Sequence, residues 1–193
     1  ALSNLTSLGV LHLYNNHQLT SIEGLSGIST LRAFSIEGND LLVSLSGLSN
    51  LRTVSPWGVI IRGNPLLDNL ELNSLETVKD ILVIATNSSL KSLSGLSGLK
   101  FVGNDLRIYE NSALQKFGPN GLVNLSSIEG KFTIRDNPNL RIIDNLNKLT
   151  TVGASVEVSN NLALESCEGL VDFAREYSGP FNFTNNGIDC RYL

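Results

Sequence analysis

A nine-residue phrase that recurs along the whole chain constrains its fold more than any other feature. The phrase reads apolar, any, apolar, any, any, Asn, any, any, Leu, as in "LHLYNNHQL", "VIIRGNPLL" and "FTIRDNPNL". Its central asparagines, here called the ladder asparagines, follow one another at intervals of 23, 25, 23, 24, 26 and 24 residues. They are Asn16, Asn39, Asn64, Asn87, Asn111, Asn137 and Asn161, and a degenerate last copy has Asn186. Repeats of about 20 to 50 residues indicate a solenoid, here with about eight coils.

Each copy predicts one coil that begins with a short strand. The residues five and three positions before each ladder asparagine are apolar, so they should point inward from a strand. The asparagine should end the strand at a corner, where its side-chain amide can bridge the backbones of neighbouring coils. After the corner, leucines recur at every third position, as at Leu90, Leu93, Leu96 and Leu99, with Gly and Ser between them. This spacing favours short runs and bends, so we expect almost no helix within the repeats.

Composition narrows the class of protein. The chain has 193 residues, of which 41% are hydrophobic and 17% are charged, so it can bury a real core. Its net charge of −4 argues against a nucleic-acid partner, and no apolar stretch approaches the roughly 20 residues that cross a bilayer. We expect a single solenoid domain over 1–193, with repeats to about residue 167 and a C-terminal cap over 168–193. Because the first residues read as the tail of a further copy, we expect a fragment of a longer chain.

The C-terminal part of the chain has the pattern of a cap. Apolar residues at helix-like spacing in "EGLVDFAREYSG" predict a short helix that is ended by Gly179 and Pro180. Cys167 and Cys190 are 23 residues apart, which is about one coil. Neighbouring strands lie about 4.8 Å apart and bridged Cα atoms about 5.5 Å apart, so a disulfide that pins the cap is geometrically natural. The alternative is a pair of buried thiols in a cytosolic chain.

The outward positions of the strands are where the copies differ. Residues two positions before the ladder asparagines form a central row, and those four positions before form a lateral row. Both rows vary, whereas the inward positions hardly change. Their tyrosine, arginine and glutamate side chains suit a protein or glycan partner. The candidate ligand-binding patch is Tyr14, Glu37, Arg62, Arg107, Tyr109 and Arg135. The alternative for each residue is an ordinary solvated position on a sheet.

Trp57 and four sequons are further candidates for function. Trp57, in the longer segment "VSPWGV", is either an exposed contact point or a side chain folded over the edge of the core. Possible glycosylation sites are Asn4, Asn124 and Asn182, provided that a eukaryote secretes the chain. The fourth sequon begins at Asn87, which is a ladder asparagine and should be buried.

Two phrases carry a resemblance to a known family. They are "GLKFVGNDLRIYENSALQKF" and "LTTVGASVEVSNNLALESC", each with a valine and glycine, a strand, an asparagine and a leucine. The sequence resembles the leucine-rich repeat superfamily, and most closely the receptor L-domain, the ligand-binding module of insulin- and EGF-type receptors. Related repeats occur in fungal cell-wall glycoproteins and bacterial surface proteins. The resemblance implies a mainly β fold, a single-stranded right-handed β-helix, at an extracellular or cell-surface location.

The sequence does not favour catalysis, which leaves two hypotheses for function. The only histidines, His12 and His17, lie in the first copy, and no His or Cys pair has metal-ligand spacing, so we expect no enzyme, cofactor or metal site. An ice-binding surface would need a regular outward row, which this chain lacks. The first hypothesis is an extracellular recognition or adhesion module that binds a protein or glycan through its exposed strand face, without inserting into a membrane. The alternative is a structural cell-surface or cell-wall spacer without a single defined ligand.

Overall fold

The computed structural model of the protein describes residues 4–188. Its strands are β1 (Val10–Tyr14), β2 (Thr30–Leu31), β3 (Ala33–Glu37), β4 (Thr53–Val54), β5 (Val59–Arg62), β6 (Thr77–Val78), β7 (Leu82–Ala85), β8 (Phe101–Val102), β9 (Leu106–Tyr109), β10 (Ser127–Ile128), β11 (Phe132–Arg135), β12 (Thr151–Val152), β13 (Val156–Ser159) and β14 (Phe181–Thr184). The helices of these residues are the 3-10 turns Glu23–Leu25, Ser46–Leu48 and Ser94–Leu96 and the α-helix α1 (Glu168–Glu176).

The strands form two parallel sheets. Within residues 4–188, the long sheet has eight strands in the order β1-β3-β5-β7-β9-β11-β13-β14, and the short sheet has six in the order β12-β10-β8-β6-β4-β2. Each strand pairs with its counterpart one repeat away, as Leu106 does with Phe132 and Ile108 with Ile134. The chain therefore passes once around the solenoid per repeat. This arrangement confirms the predicted mainly β solenoid with a short C-terminal helix.

The short sheet is a feature that the expectation of one strand per coil did not include. Its strands are residue pairs such as Thr77–Val78 and Phe101–Val102, and the valine of each of these pairs is buried. The backbone N–H of Lys79 donates to the carbonyl of Val54 at 2.9 Å, which continues the pairing beyond the strand. Each 3-10 turn has three residues, so helix is nearly absent from the described repeats, as predicted.

The core is one continuous stack of aliphatic and aromatic side chains. Residues five and three positions before the ladder asparagines point inward, and Phe34, Ile36, Phe132 and Ile134 are at most 1% exposed. Burying one such side chain stabilises the fold by about 1.5–3 kcal/mol. Because each template position recurs in the next coil, like side chains stack on one another along the solenoid.

The ladder asparagines join consecutive coils through their side-chain amides. Oδ1 of Asn64 accepts the backbone N–H of Asn39 at 3.1 Å. Nδ2 of Asn64 donates to the carbonyl of Ile36 at 2.9 Å and to Oδ1 of Asn87 at 3.2 Å. The fully buried members of the ladder are Asn39, Asn64, Asn87, Asn111, Asn137 and Asn161. Asn16, in the first coil, is exposed. These bonds satisfy backbone donors and acceptors that would otherwise be buried without partners.

The corner predicted at each ladder asparagine begins one residue earlier, with a left-handed residue, and continues at the asparagine, as where the carbonyl of Asn64 accepts the N–H of Leu67 at 3.1 Å. The residues one position before the ladder asparagines have φ between 52° and 68°, and they are Asn15, Gly38, Gly63, Thr86, Glu110, Asp136, Asn160 and Asn185. Left-handed backbone favours Gly, Asn and Asp, and only Thr86 and Glu110 depart from these types within the described coils. The recurrence of Gly, Asn and Asp here is the sequence signal for the corner, and the nine-residue phrase does not include it.

Helix α1 packs on the C-terminal end of the described stack. Leu170 and Phe173 are buried, and the ring of Phe173 stacks on Tyr177 with 4.8 Å between centroids. Cys167, directly before α1, is fully buried. Cys190 lies outside the described residues, so the disulfide that would pin this cap stays a prediction.

Candidate ligand-binding face

The outward side of the long sheet, here called the outward face, consists of rows that the strand register aligns. The central row is Tyr14, Glu37, Arg62, Ala85, Tyr109, Arg135, Ser159 and Thr184. The lateral row is His12, Ser35, Ile60, Val83, Arg107, Thr133, Glu157 and Asn182. Neighbours in a row are about 4.8 Å apart, so long side chains reach across more than one coil.

Glu37 and Arg62 form an ion pair in the central row. Nη2 of Arg62 lies 2.5 Å from Oε2 of Glu37, and the Glu37 side chain is only 14% exposed. The hydroxyl of Ser35 donates to Oε1 of Glu37 at 2.5 Å, so the carboxylate is held from a second side. The charge of Glu37 raises the pKa of Arg62 above its ordinary value, with a smaller contribution from Tyr109. Arg62 therefore stays charged and fixed while half of its side chain faces solvent.

Arg62 and Tyr109 lie on the strands to either side of β7 and interact electrostatically. Ala85, the central-row residue of β7, is fully buried although it points outward, and Val83 beside it is 7% exposed. Small side chains on β7 let the longer side chains of β5 and β9 approach each other. The two coils thus act as one continuous surface.

Arg135 extends this surface by one more coil. Its guanidinium carbon lies 4.6 Å from the centre of the Tyr109 ring, the geometry of a cation–π contact. Its Nη1 contacts the carboxylate of Asp136 and lies 3.9 Å from Oε1 of Glu110. Glu37 with Arg62 and Tyr109 with Arg135 therefore form two contacting pairs on this face, and Tyr109 also interacts electrostatically with Arg62.

Arg107 is anchored separately, in the lateral row. Its Nε and Nη2 donate to one oxygen of Asp105 at 3.1 and 2.5 Å. The other Asp105 oxygen accepts the backbone N–H of Lys131 at 2.8 Å. Burial acts to raise the pKa of Asp105, but the bonds from Lys131 and Arg107 outweigh it, and the pKa falls below its ordinary value. Asp105 is consequently ionised at neutral pH and orients the Arg107 guanidinium.

All six predicted patch residues line one of two depressions on the outward face. The first has a volume of about 230 Å³ and is lined by Arg107, Tyr109, Lys131, Thr133, Arg135 and Glu157. The second has a volume of about 490 Å³ and is lined by Tyr14, Glu37 and Arg62 together with left-handed corner residues of the first four coils. Tyr14 is 49% exposed. Lys131 was missed from the sequence because it lies six positions before its ladder asparagine, outside both rows.

Trp57 lies away from this face. It is 48% exposed, and the guanidinium carbon of Arg32 lies 4.5 Å from the centre of its ring. Half of the side chain is thus accessible and one side of the ring is covered by a cation.

The sequons differ in how accessible they are. Asn87 is fully buried in the ladder. Asn124 is half-buried, and its amide donates to the carbonyl of Ser97 at 2.8 Å and accepts from Nζ of Lys148 at 2.6 Å. Asn4 and Asn182 are exposed. Their use as glycosylation sites stays a prediction.

The described part of the chain contains no group of three or more His, Cys, Asp or Glu side chains that could hold a metal ion. His17 is exposed, with its Nδ1 2.8 Å from Oδ2 of Asp40. Between residues 4 and 188, no helix is both long enough and apolar enough to cross a bilayer.

Part of the chain matches a known family. Residues 68–152 match the family described as the receptor L domain. This match confirms the resemblance predicted from the sequence. Receptor L domains are non-catalytic, ligand-binding modules in the extracellular parts of receptors. The matched segment includes Arg107, Tyr109 and Arg135, whereas Tyr14, Glu37 and Arg62 precede it. No solved structure matches the chain significantly.

Proposed function

We propose that this chain is an extracellular recognition module that binds a protein ligand through the outward face of its long sheet. The observation that carries the proposal is the pair of contacts Glu37–Arg62 and Tyr109–Arg135, with Tyr109 also interacting with Arg62, on rows that vary while the core repeats. The receptor L domain match supports a ligand-binding role at the cell surface. A glycan ligand is the first alternative outcome of the tests below.

The chemistry of the outward face favours a macromolecular ligand. Tyrosine and arginine are enriched among the residues that contribute most to protein interfaces. Arg62 is already held by Glu37 and Arg135 already stacks on Tyr109, so binding orders few additional rotamers. Pre-organisation of this kind lowers the entropic cost of association. The depressions are shallow and open, which suits protruding side chains of a partner better than an enclosed small molecule.

A spacer without a defined ligand is the competing function. The buried ladder favours it, because bonds that repeat from Asn39 to Asn161 stiffen the stack along its length. A stiff stack also serves a recognition module, so the two functions differ in what the outward face does.

The test is a binding screen with charge-matched variants. The chain is screened against arrays of extracellular proteins and of glycans, and affinities of reproducible ligands are then measured for Arg62→Ala/Arg135→Ala and for Arg52→Ala/Lys100→Ala. Arg52 and Lys100 are exposed cations that pair with Glu76, outside both outward rows. We expect the first variant to lose about 30-fold or more in affinity and the second to bind like the parent.

Several results would contradict the proposal. Equal affinities of the two variants would show that the interface does not lie on the outward face. Reproducible ligands confined to the glycan array would replace the protein ligand by a glycan. Absence of any ligand on both arrays would favour the spacer.

A further inference from the structure

We propose that the 230 Å³ depression above Thr133 is a subsite for an anionic group, and that the group is a carboxylate side chain of the protein ligand. This inference rests on the proposed function and adds the chemistry of the contact. Three cations, Arg107, Lys131 and Arg135, line the depression, and Glu157 is the one carboxylate among the lining residues.

Each of the three cations keeps donors that the described residues do not use. Arg107 contacts Asp105 through Nε and Nη2, which leaves Nη1 without a partner in residues 4–188. Arg135 contacts its acidic neighbours through Nη1, which leaves Nε and Nη2. Nζ of Lys131 has no hydrogen bond or ion pair within the same range. A carboxylate accepts several such donors at once, and charge-assisted hydrogen bonds are the strongest that side chains form.

The acidic residues nearby do not fill the depression. Asp105 is 13% exposed and is engaged by Arg107 and by the backbone N–H of Lys131. Glu157 accepts the hydroxyl of Ser159 at 2.9 Å, which holds its carboxylate in its own strand. Thr133, 8% exposed, forms the floor, and its hydroxyl has no partner among the described residues. The depression therefore combines unused donors of three cations with an available hydroxyl donor.

A carboxylate side chain fits this depression better than a sugar ring does. A sugar that binds by stacking needs the bare face of an aromatic ring. The Tyr109 ring has the Arg135 guanidinium over it at 4.6 Å, so one face of the one aromatic side chain in this lining is already occupied. A single side chain also needs only the small volume that is present. An acidic residue of a protein ligand meets both conditions.

The experiment is a titration followed by NMR on the intact chain. The probe is a tripeptide with blocked ends and a central glutamate, and the matched probe has glutamine instead. Chemical shifts are followed for the backbone amide of Thr133 and for the side chains of Arg107 and Arg135. We expect saturable shifts with the glutamate probe, binding about five-fold or more weaker with the glutamine probe, and weakening as salt rises from about 20 to 200 mM.

Two charge-matched variants test whether the glutamate probe binds in the depression. Lys131→Gln removes one rim cation without touching a described ion pair, and should weaken the glutamate probe about three-fold or more. Lys91→Gln removes an exposed lysine beyond the corner, outside both rows, and should bind like the parent. Equal affinity for the two probes, or unchanged binding by Lys131→Gln, would overturn the subsite.

A third probe separates the sources of the carboxylate. If an oligomer of a hexuronic acid binds at least about ten-fold more tightly than the glutamate probe, the assignment to a protein side chain is overturned in favour of an acidic glycan.

Failure of the subsite can be distinguished from failure of the proposed function. A protein ligand that depends on Arg62 and Arg135, with no response to the glutamate probe, would refute the subsite alone. A response to the probe without any protein ligand would refute the proposed function.

Discussion

Replacing Asn111 by alanine tests whether the asparagine ladder holds the coils together. Its Oδ1 accepts the backbone N–H of Asn87 at 3.1 Å. Its Nδ2 donates to the carbonyls of Ile84 and Tyr109, both at 3.0 Å, and more weakly to Oδ1 of Asn137 at 3.3 Å. Asn111→Ala removes every one of these bonds inside a fully buried corner.

The expected loss in free energy of unfolding follows from the polar groups that Asn111→Ala leaves without a hydrogen bond. The N–H of Asn87 loses its acceptor and the carbonyl of Ile84 loses one donor, and a buried unsatisfied polar group costs about 1–3 kcal/mol. We therefore expect Asn111→Ala to lower the free energy of unfolding by about 2–5 kcal/mol. For a chain of this length each kcal/mol lowers Tm by about 2–4 °C. Urea unfolding followed by far-UV circular dichroism measures the free energy directly.

Asn16→Ala is the matched control for this experiment. Asn16 occupies the same template position but is exposed, and among residues 4–188 its amide donates only to the carbonyl of Tyr14 at 3.2 Å. Water replaces that bond, so the change should cost less than about 1 kcal/mol. A loss below about 0.5 kcal/mol for Asn111→Ala, or equal losses for the two variants, would refute the ladder as the source of corner stability.

Three further predictions address the corner, a partly buried carboxylate and the cap. Thr86 is a β-branched residue at φ 52°, so Thr86→Asn should raise the free energy of unfolding by about 0.5–1 kcal/mol in urea titrations, and a loss would show that Thr86 makes a compensating contact. One Asp144 oxygen is buried without a hydrogen-bond partner, and burial raises the pKa of Asp144 above its ordinary value. Its neutral form is therefore favoured in the folded state, so the stability it contributes is present at acidic pH and is lost as pH rises through the folded pKa. Asp144→Asn should be more stable than the parent at pH 7, with the gain shrinking towards about pH 4, and a gain independent of pH would exclude ionisation as the cause. If mass spectrometry detects a disulfide between Cys167 and Cys190, its reduction should lower Tm by fraying the last coil. An unchanged Tm would show that the disulfide does not stabilise the cap.

The repeat predicts the sheet register but not the contacts between outward side chains. Parallel, in-register stacking makes equal template positions neighbours, which is why the intervals of the ladder asparagines place Tyr109 beside Arg135. Whether the Arg135 guanidinium then turns towards Asp136, lies over Tyr109 or extends into solvent depends on rotamers and on charges in other coils. Sequence spacing contains none of this information.

Lys131 illustrates a second limit on what the repeat predicts about the candidate site. It lies outside the two rows that alternate with the core, and it reaches the depression because Asp105, one coil earlier, binds its backbone N–H. That contact joins positions 26 residues apart through a side chain that varies between coils. A template built on invariant positions cannot reveal it. The left-handed corner residues were accessible in principle, since Gly, Asn and Asp recur at one fixed position.

The ladder also explains how this fold keeps its outward face free to vary. Besides joining coils, the ladder amides bind the carbonyls of central-row residues in their own coil, as Asn64 does with Arg62, Asn111 with Tyr109 and Asn137 with Arg135. These bonds fix the backbone of the residues that form the candidate site but involve none of their side chains. A substitution in the central row therefore leaves the ladder intact, and the backbone that carries the new side chain stays in place. Repetition inside and variation outside are for this reason compatible in one chain, and this separation is what a recognition surface requires.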